Sequence, residues 1–198
     1  MKRFLIILIT VFSIFLMPTV EAKTSLPEKT DHEKVKVYLF WSSTCSNCHN
    51  LIKYFANKYQ DYEDYFEIVT YQVNNDSNNS SLASTIAEQV GEKPGYVPLV
   101  VIGSTYHVLG WQDSVGETIT KEALKAYQDE DYTDIVAQEI DAQKLDAKTK
   151  TFEEACDIIG VKYGASAKTK VDSKFVIVFI VGVVMLGIGG LAILARKN

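Results

Sequence analysis

Groups able to hold a metal or a haem are scarce in this chain: three cysteines, three histidines and three methionines in 198 residues. A structural zinc site takes four ligands, usually as two close pairs. Cys45 and Cys48 make one pair, while Cys156, His32, His49 and His107 are scattered singly. No metal site is therefore assigned. Methionine is missing between Met17 and Met185. Cys45-Ser46-Asn47-Cys48-His49 matches the attachment signature of c-type haem, but such a haem would find no methionine there as second axial ligand. Basic residues are outnumbered too: without Lys2, Arg3 and Glu21 the chain carries 18 basic and 24 acidic residues. Nothing in that balance suggests nucleic-acid binding; such a surface mainly supports solubility. Internal repeats are absent.

Both ends are apolar. Lys2 and Arg3 precede the run Phe4 to Met17, Pro18 breaks it, and Val20-Glu21-Ala22 supplies small residues for a peptidase. Residues 1–22 are expected to be a signal peptide cleaved after Ala22. An uncleaved anchor is the alternative, although the run is short for a span of ~20 residues. No cysteine follows it to carry a lipid. Residues 175–195 are uncharged and match the thickness of a bilayer as a helix at ~1.5 Å per residue. They are expected to cross the membrane once, with 196–198 as a cytoplasmic tail and the soluble domain outside the cell. Lys168, Lys170 and Lys174 face Arg196 and Lys197 across that span, so the order of signal then span carries the orientation. The LPxTG of a sortase signal is lacking before the run, and a strict GxxxG is lacking within it.

Between these ends, residues 23–34 read as a polar leader. Val35 to Trp41 is a β-branched and aromatic run suited to a buried strand. Leu51, Ile52, Tyr54, Phe55 and Tyr59 then recur on one helical face. Phe66 to Val73 reads as a second strand, 74–81 as a loop, and Ser81 to Val90 as a short helix closed by Gly91. Val97 to Ile102 is a third strand, Thr105 to Leu109 its antiparallel return, and 115–128 a helix. The order β-α-β-α-β-β-α implies an α/β fold with a central mixed sheet flanked by helices. Residues 129–170 are expected to add a helical extension and stalk, with a capping box at Thr151-Phe152-Glu153-Glu154. Cys156 is expected to be a buried, inert thiol, the alternative being a regulatory or intermolecular one.

The CxxC fits redox chemistry best. At the start of a helix, cysteines three apart have Cα atoms roughly 5–6 Å apart, within disulfide range. Cys45 would sit over unpaired backbone N–H groups at the positive end of the helix dipole, which favours a thiolate. Cys48, a turn deeper, would be less exposed. Cys45 is then the attacking sulfur and Cys48 the resolving one. A structural disulfide is the bland alternative, but so short a loop stabilises little.

The stretch "VKVYLFWSSTCSNCHNLIKYF" resembles the active-site segment of the thioredoxin fold: strand, aromatic pair Phe40-Trp41, turn, CxxC, helix. "GYVPLVVIG" resembles that fold's second hallmark, a proline opening the third strand. The resemblance covers about residues 33–128. It implies a thioredoxin-like domain in which Pro98 follows a cis peptide bond and lies against Cys45. It further implies that Val97 pairs with the substrate backbone and that Trp41 packs near the dithiol. Trp111 is assigned to the core. Two features depart from the family. Leu39 stands where thioredoxins proper carry a buried Asp, and Ser46-Asn47 is neither the Gly-Pro of reductants nor the Pro-His of strong oxidants.

The expectation is a membrane-tethered thiol-disulfide oxidoreductase of a Gram-positive cell surface. Its partners are exported protein thiols or disulfides and a redox protein that recycles the pair; no cofactor is required. The direction of exchange is left open. The alternative is a non-catalytic binding or accessory module for an exported protein or peptide.

Overall fold

The computed structural model describes residues 26–29 and 33–164. The expected signal peptide and membrane span lie outside the described residues, as does the stalk beyond Gly164. Among the described residues no helix is long and apolar enough to cross a membrane.

Strand β1, Val35–Trp41, is buried at every position except Lys36. Helix α1, Ser46–Lys58, turns Cys48, Leu51, Ile52, Phe55 and Ala56 inward, the spacing of a single helical face. A 3-10 turn at Tyr59–Asp61 leads to β2, Phe66–Gln72. Then come α2 (Ser77–Gln89), β3 (Leu99–Ile102), β4 (Tyr106–Leu109) and α3 (Asp113–Tyr127). The remainder supplies α4 (Ile135–Gln143), β5 (Thr149–Lys150) and α5 (Phe152–Ile158).

The five strands form one mixed sheet in the order β4-β3-β1-β2-β5. β1 runs parallel to β2, with Leu39 opposite Thr70, and antiparallel to β3, with Leu39 opposite Val100. β4 returns antiparallel on β3. At the turn between them Gly103 has φ +52°, and a Cβ there would lie 2.8 Å from the Thr133 carbonyl. Only glycine fits such a position without strain.

Alternation along the strands divides the core in two. Val37, Leu39 and Trp41 face one side with Val100 and Ile102, where α1, α3 and α5 contribute Phe55, Ile119 and Phe152. Tyr38 and Phe40 face the other side with Leu99 and Val101, where α2 and α4 contribute Leu82, Ile86 and Val136. Side chains of a strand point alternately to its two faces, so a seven-residue strand buried almost throughout requires helices on both.

Beyond shifts of a residue or two at the ends of other elements, four observed features differ from expectation. The polar run 74–81, expected as a loop, already contains the first turn of α2. Asp76 caps that helix by accepting the Asn79 amide N–H at 3.0 Å, so it begins at Ser77. The expected strand from Val97 begins two residues later, at Leu99. Trp111, expected in the core, is half-buried at its edge and tilted against Tyr54 with ring centroids 5.6 Å apart. β5 was not foreseen.

Residues 129–164 pack back on the sheet. Tyr38 donates its hydroxyl to Asp134 at 2.6 Å, while the other carboxylate oxygen caps α4 through the Ala137 N–H. Asn79, itself buried, donates to the carbonyls of Gln72 and Lys148 and accepts the Lys148 N–H. This clasp holds the strand that pairs β5 with β2, where Thr70 lies opposite Lys150. The capping box at Thr151 and Glu154 is present and opens α5. Beyond it, Tyr163 hydrogen-bonds Glu63 through its hydroxyl, and Gly164 donates its N–H to Ala56 at the far end of α1.

Candidate active site

Parallel β1 and β2 end side by side, and their C-terminal ends place the cysteines. Trp41 accepts the Val73 N–H at 2.8 Å, which carries the ladder one step past β2. The chain then turns through Ser42 to Thr44 before α1. Ser42 Oγ accepts the Thr44 N–H at 3.2 Å, and the Ser42 carbonyl accepts the Cys45 N–H. These bonds close the turn and deliver Cys45 to the helix start.

Cys45 is the N-cap of α1, with extended backbone angles of φ −95° and ψ 113°. Its Sγ accepts the Cys48 N–H at 3.2 Å. A sulfur at an N-cap thus takes the place of the usual Ser, Asp or Asn oxygen. The same sulfur lies 3.5 Å from the Val97 carbonyl oxygen, the thiol donating. The Val97–Pro98 peptide bond is cis. Pro98 is buried less than a turn of chain before β3, and its carbonyl accepts the Gly110 N–H at 2.7 Å. Cys45 and Val97, 52 residues apart in sequence, therefore meet, with Pro98 next along the chain.

Cys48 is fully buried, whereas Cys45 is half-buried, and both thiols are free in this structure. Burial pushes the Cys48 thiol up strongly; the adjoining Cys45 adds to this, and the Ser42 backbone N–H opposes it. Trp41 is sealed in the same apolar cluster as Cys48, with Cys45 packed against its edge. Among the described residues, its indole Nε1 is the buried side-chain nitrogen without a hydrogen-bond partner. Leu39 also belongs to that cluster and is 1% exposed. No carboxylate occupies that position beneath the dithiol.

His49, the fifth residue of the haem-like string, turns back instead of outward. Its Nε2 donates to the Ser43 carbonyl at 2.8 Å, and a carbonyl partner fixes the proton on that nitrogen. Among the described residues no group of three or more His, Cys, Asp or Glu could hold a metal ion. Cys156 lies fully buried in α5, and burial, aided by Asp157 and Glu153, pushes its thiol up to about 12.

Two residues that hold the site carried no recognisable signal in the sequence. Asn74 grips Ser43 twice: its Oδ1 accepts the Ser43 N–H at 3.2 Å, and its Nδ2 donates to Ser43 Oγ at 3.0 Å. Ser43 and Asn74 belong to polar stretches indistinguishable from ordinary loop composition.

Compared with protein-family models, curated proteins and solved structures, the chain matches none.

Proposed function

We propose that this protein is a thioredoxin-like thiol-disulfide oxidoreductase, tethered to the outer face of a bacterial membrane, that exchanges disulfides with exported proteins. The observation that carries the reading is the position of the Cys45 sulfur. It caps α1, accepts the Cys48 N–H, and faces the Val97 carbonyl. A sulfur that water can reach at a helix N-terminus, beside a second cysteine, is placed to act as the nucleophile in exchange.

In the reducing direction the Cys45 thiolate attacks one sulfur of a substrate disulfide. A Cys45–substrate bond forms, the substrate S–S bond breaks, and one substrate sulfur leaves as a thiolate. Cys48 then loses its proton to water or to that thiolate, and its sulfur attacks Cys45. The Cys45–Cys48 disulfide forms and the second substrate thiol is released, so two electrons have passed from dithiol to substrate. Oxidation is the reverse sequence. A second dithiol–disulfide couple must restore the pair, and its potential relative to this one sets the direction. Val97 offers backbone groups to an extended substrate segment, Pro98 shapes the space beside the sulfur, and Trp41 walls the dithiol from below.

Leu39 favours a second reading. With an apolar side chain beneath a buried Cys48, the pair would be a passive disulfide in a binding or accessory module for an exported protein. A reduction potential below roughly −300 mV, the range of structural disulfides, would support that module.

The deciding experiment replaces Cys48 by Ala in the full chain in its native cell. Mixed disulfides with exported proteins should accumulate on Cys45 and be absent from a Cys45→Ala control. Equal recovery from the two variants would defeat the exchange reading.

A further inference from the structure

The turn that carries Cys45 is held by a polar clamp on Ser43, and all three polar groups of that residue are engaged. Its N–H and its Oγ are taken by Asn74, at 3.2 Å and 3.0 Å, and its carbonyl by His49 Nε2 at 2.8 Å. Asn74 is anchored in turn by the buried Gln72, whose Nε2 donates to Asn74 Oδ1 at 3.2 Å. The clamp thus ties the β2–α2 loop to the β1–α1 loop, and then to the second turn of α1.

Both sulfurs depend on that turn. Cys45 Sγ reaches the Cys48 N–H only while Cys45 keeps the extended N-cap backbone. The Ser42 N–H acts on Cys48 from the same few residues. Ser43 lies between the two devices, and a rotation there would move both. Exposed single hydrogen bonds compete with water and stabilise weakly. A two-point amide grip closed by a third bond restricts orientation, which is what a preorganised reacting group needs.

We infer that Asn74 and His49 are positioning residues that hold Cys45 in its N-cap geometry by clamping Ser43, and so sustain the reactivity of its sulfur. The inference deepens the thiol-exchange reading and rests on it for its biological purpose, but it is tested on the chemistry of Cys45 alone. A role for His49 as a haem ligand does not accompany it, because the Nε2 of His49 is committed to Ser43.

The test uses the reduced full chain and iodoacetamide, with alkylation at Cys45 followed by peptide mass mapping at pH 7 and pH 10. Asn74→Ala and His49→Ala should each slow alkylation at pH 7 about fivefold, the scale of one intramolecular hydrogen bond. At pH 10, where thiols ionise without assistance, the variants should match the wild type. His49→Gln, which restores an N–H donor of similar reach, should recover most of the rate at pH 7. Asn74 is exposed, so its replacement leaves the core intact, and urea unfolding of each variant checks this. Rates equal to wild type at pH 7, or slowed equally at both pH values, would overturn the inference. Loss of Cys45-dependent exchange with oxidised glutathione in the wild type would instead defeat the functional reading and leave the alkylation result to stand for the clamp.

Discussion

At the scale of single residues, the two cysteines differ in what water can reach. Cys45 is only half-buried at a helix cap, whereas Cys48 and Cys156 are fully buried with their thiols pushed up by that burial. Alkylation of the reduced protein at neutral pH should therefore stop at one label per chain, on Cys45, until denaturant admits the reagent to the other two. Rapid double labelling in native buffer would contradict the buried setting of Cys48. Leu39 gives a second prediction. Leu39→Asp would bury a carboxylate in the apolar cluster that holds Trp41, Cys48 and Leu51. The substitution should cost about 3–5 kcal/mol, combining the loss of core packing with desolvation of the charge. Urea midpoints measure it, and a change below about 1 kcal/mol would show that the site under the dithiol is wet. The dithiol was legible in the sequence because Cys45 and Cys48 are rare residue types in a close pair. Ser43 and Asn74 were not, because a serine or asparagine in a polar loop has no composition that marks its partner 31 positions away.

Elements were legible where burial is periodic. β1 was read to the residue because every position from Val35 to Trp41 except Lys36 is apolar and buried. The start of α2 was not. Its first turn reads Ser77-Asn78-Asn79-Ser80, and only the tertiary role of Asn79 explains an asparagine there. Its amide is spent on Gln72 and Lys148, so the side chain joins β2, α2 and the strand that ends as β5. The two-residue β5 has no hydrophobic period to detect, and three bonds from one buried side chain do the work that a longer strand would do. Asn79→Ala should consequently cost about 2–3 kcal/mol, the penalty for leaving buried backbone groups unpaired. It should also speed hydrogen exchange at Lys148 while leaving exchange in β1 slow. A variant with wild-type urea midpoint and wild-type protection at Lys148 would show that β5 is held by other means.

For the whole molecule, titration of its buried acids ties stability to pH. Burial pushes the hydroxyls of Tyr59 and Tyr71 from their ordinary 10.0 to about 12, with nearby carboxylates adding to it. Tyr132 and the Cys156 thiol reach about 12 for the same leading reason, and Cys48, Tyr38 and Tyr163 also move upward. These groups are spread over both faces of the sheet and over the segment 129–164, so they report on the molecule rather than on one site. In the unfolded chain the thiols lose protons from about pH 9 and the phenols from about pH 10, while the folded chain keeps them. Above pH 9 the folded state therefore binds more protons than the unfolded one, and stability must fall as pH rises. The neutral buried groups cost nothing at pH 7, so their contribution is complete there and is lost progressively between pH 9 and about 12. On the acid side the lowered carboxyls of Glu154 and Asp64 have the opposite sign, their contribution being lost as pH falls. Both are fully exposed, so that limb should be shallow. Urea midpoints of the reduced protein should accordingly be steady near neutrality and drop steeply from pH 9 to pH 11. Cys156→Ala should flatten the first part of that drop, between pH 9 and pH 10, because it removes a thiol that ionises on unfolding. A midpoint that is flat from pH 8 to pH 11 would mean that these groups meet water in the folded chain, and that the extension does not close the sheet as described.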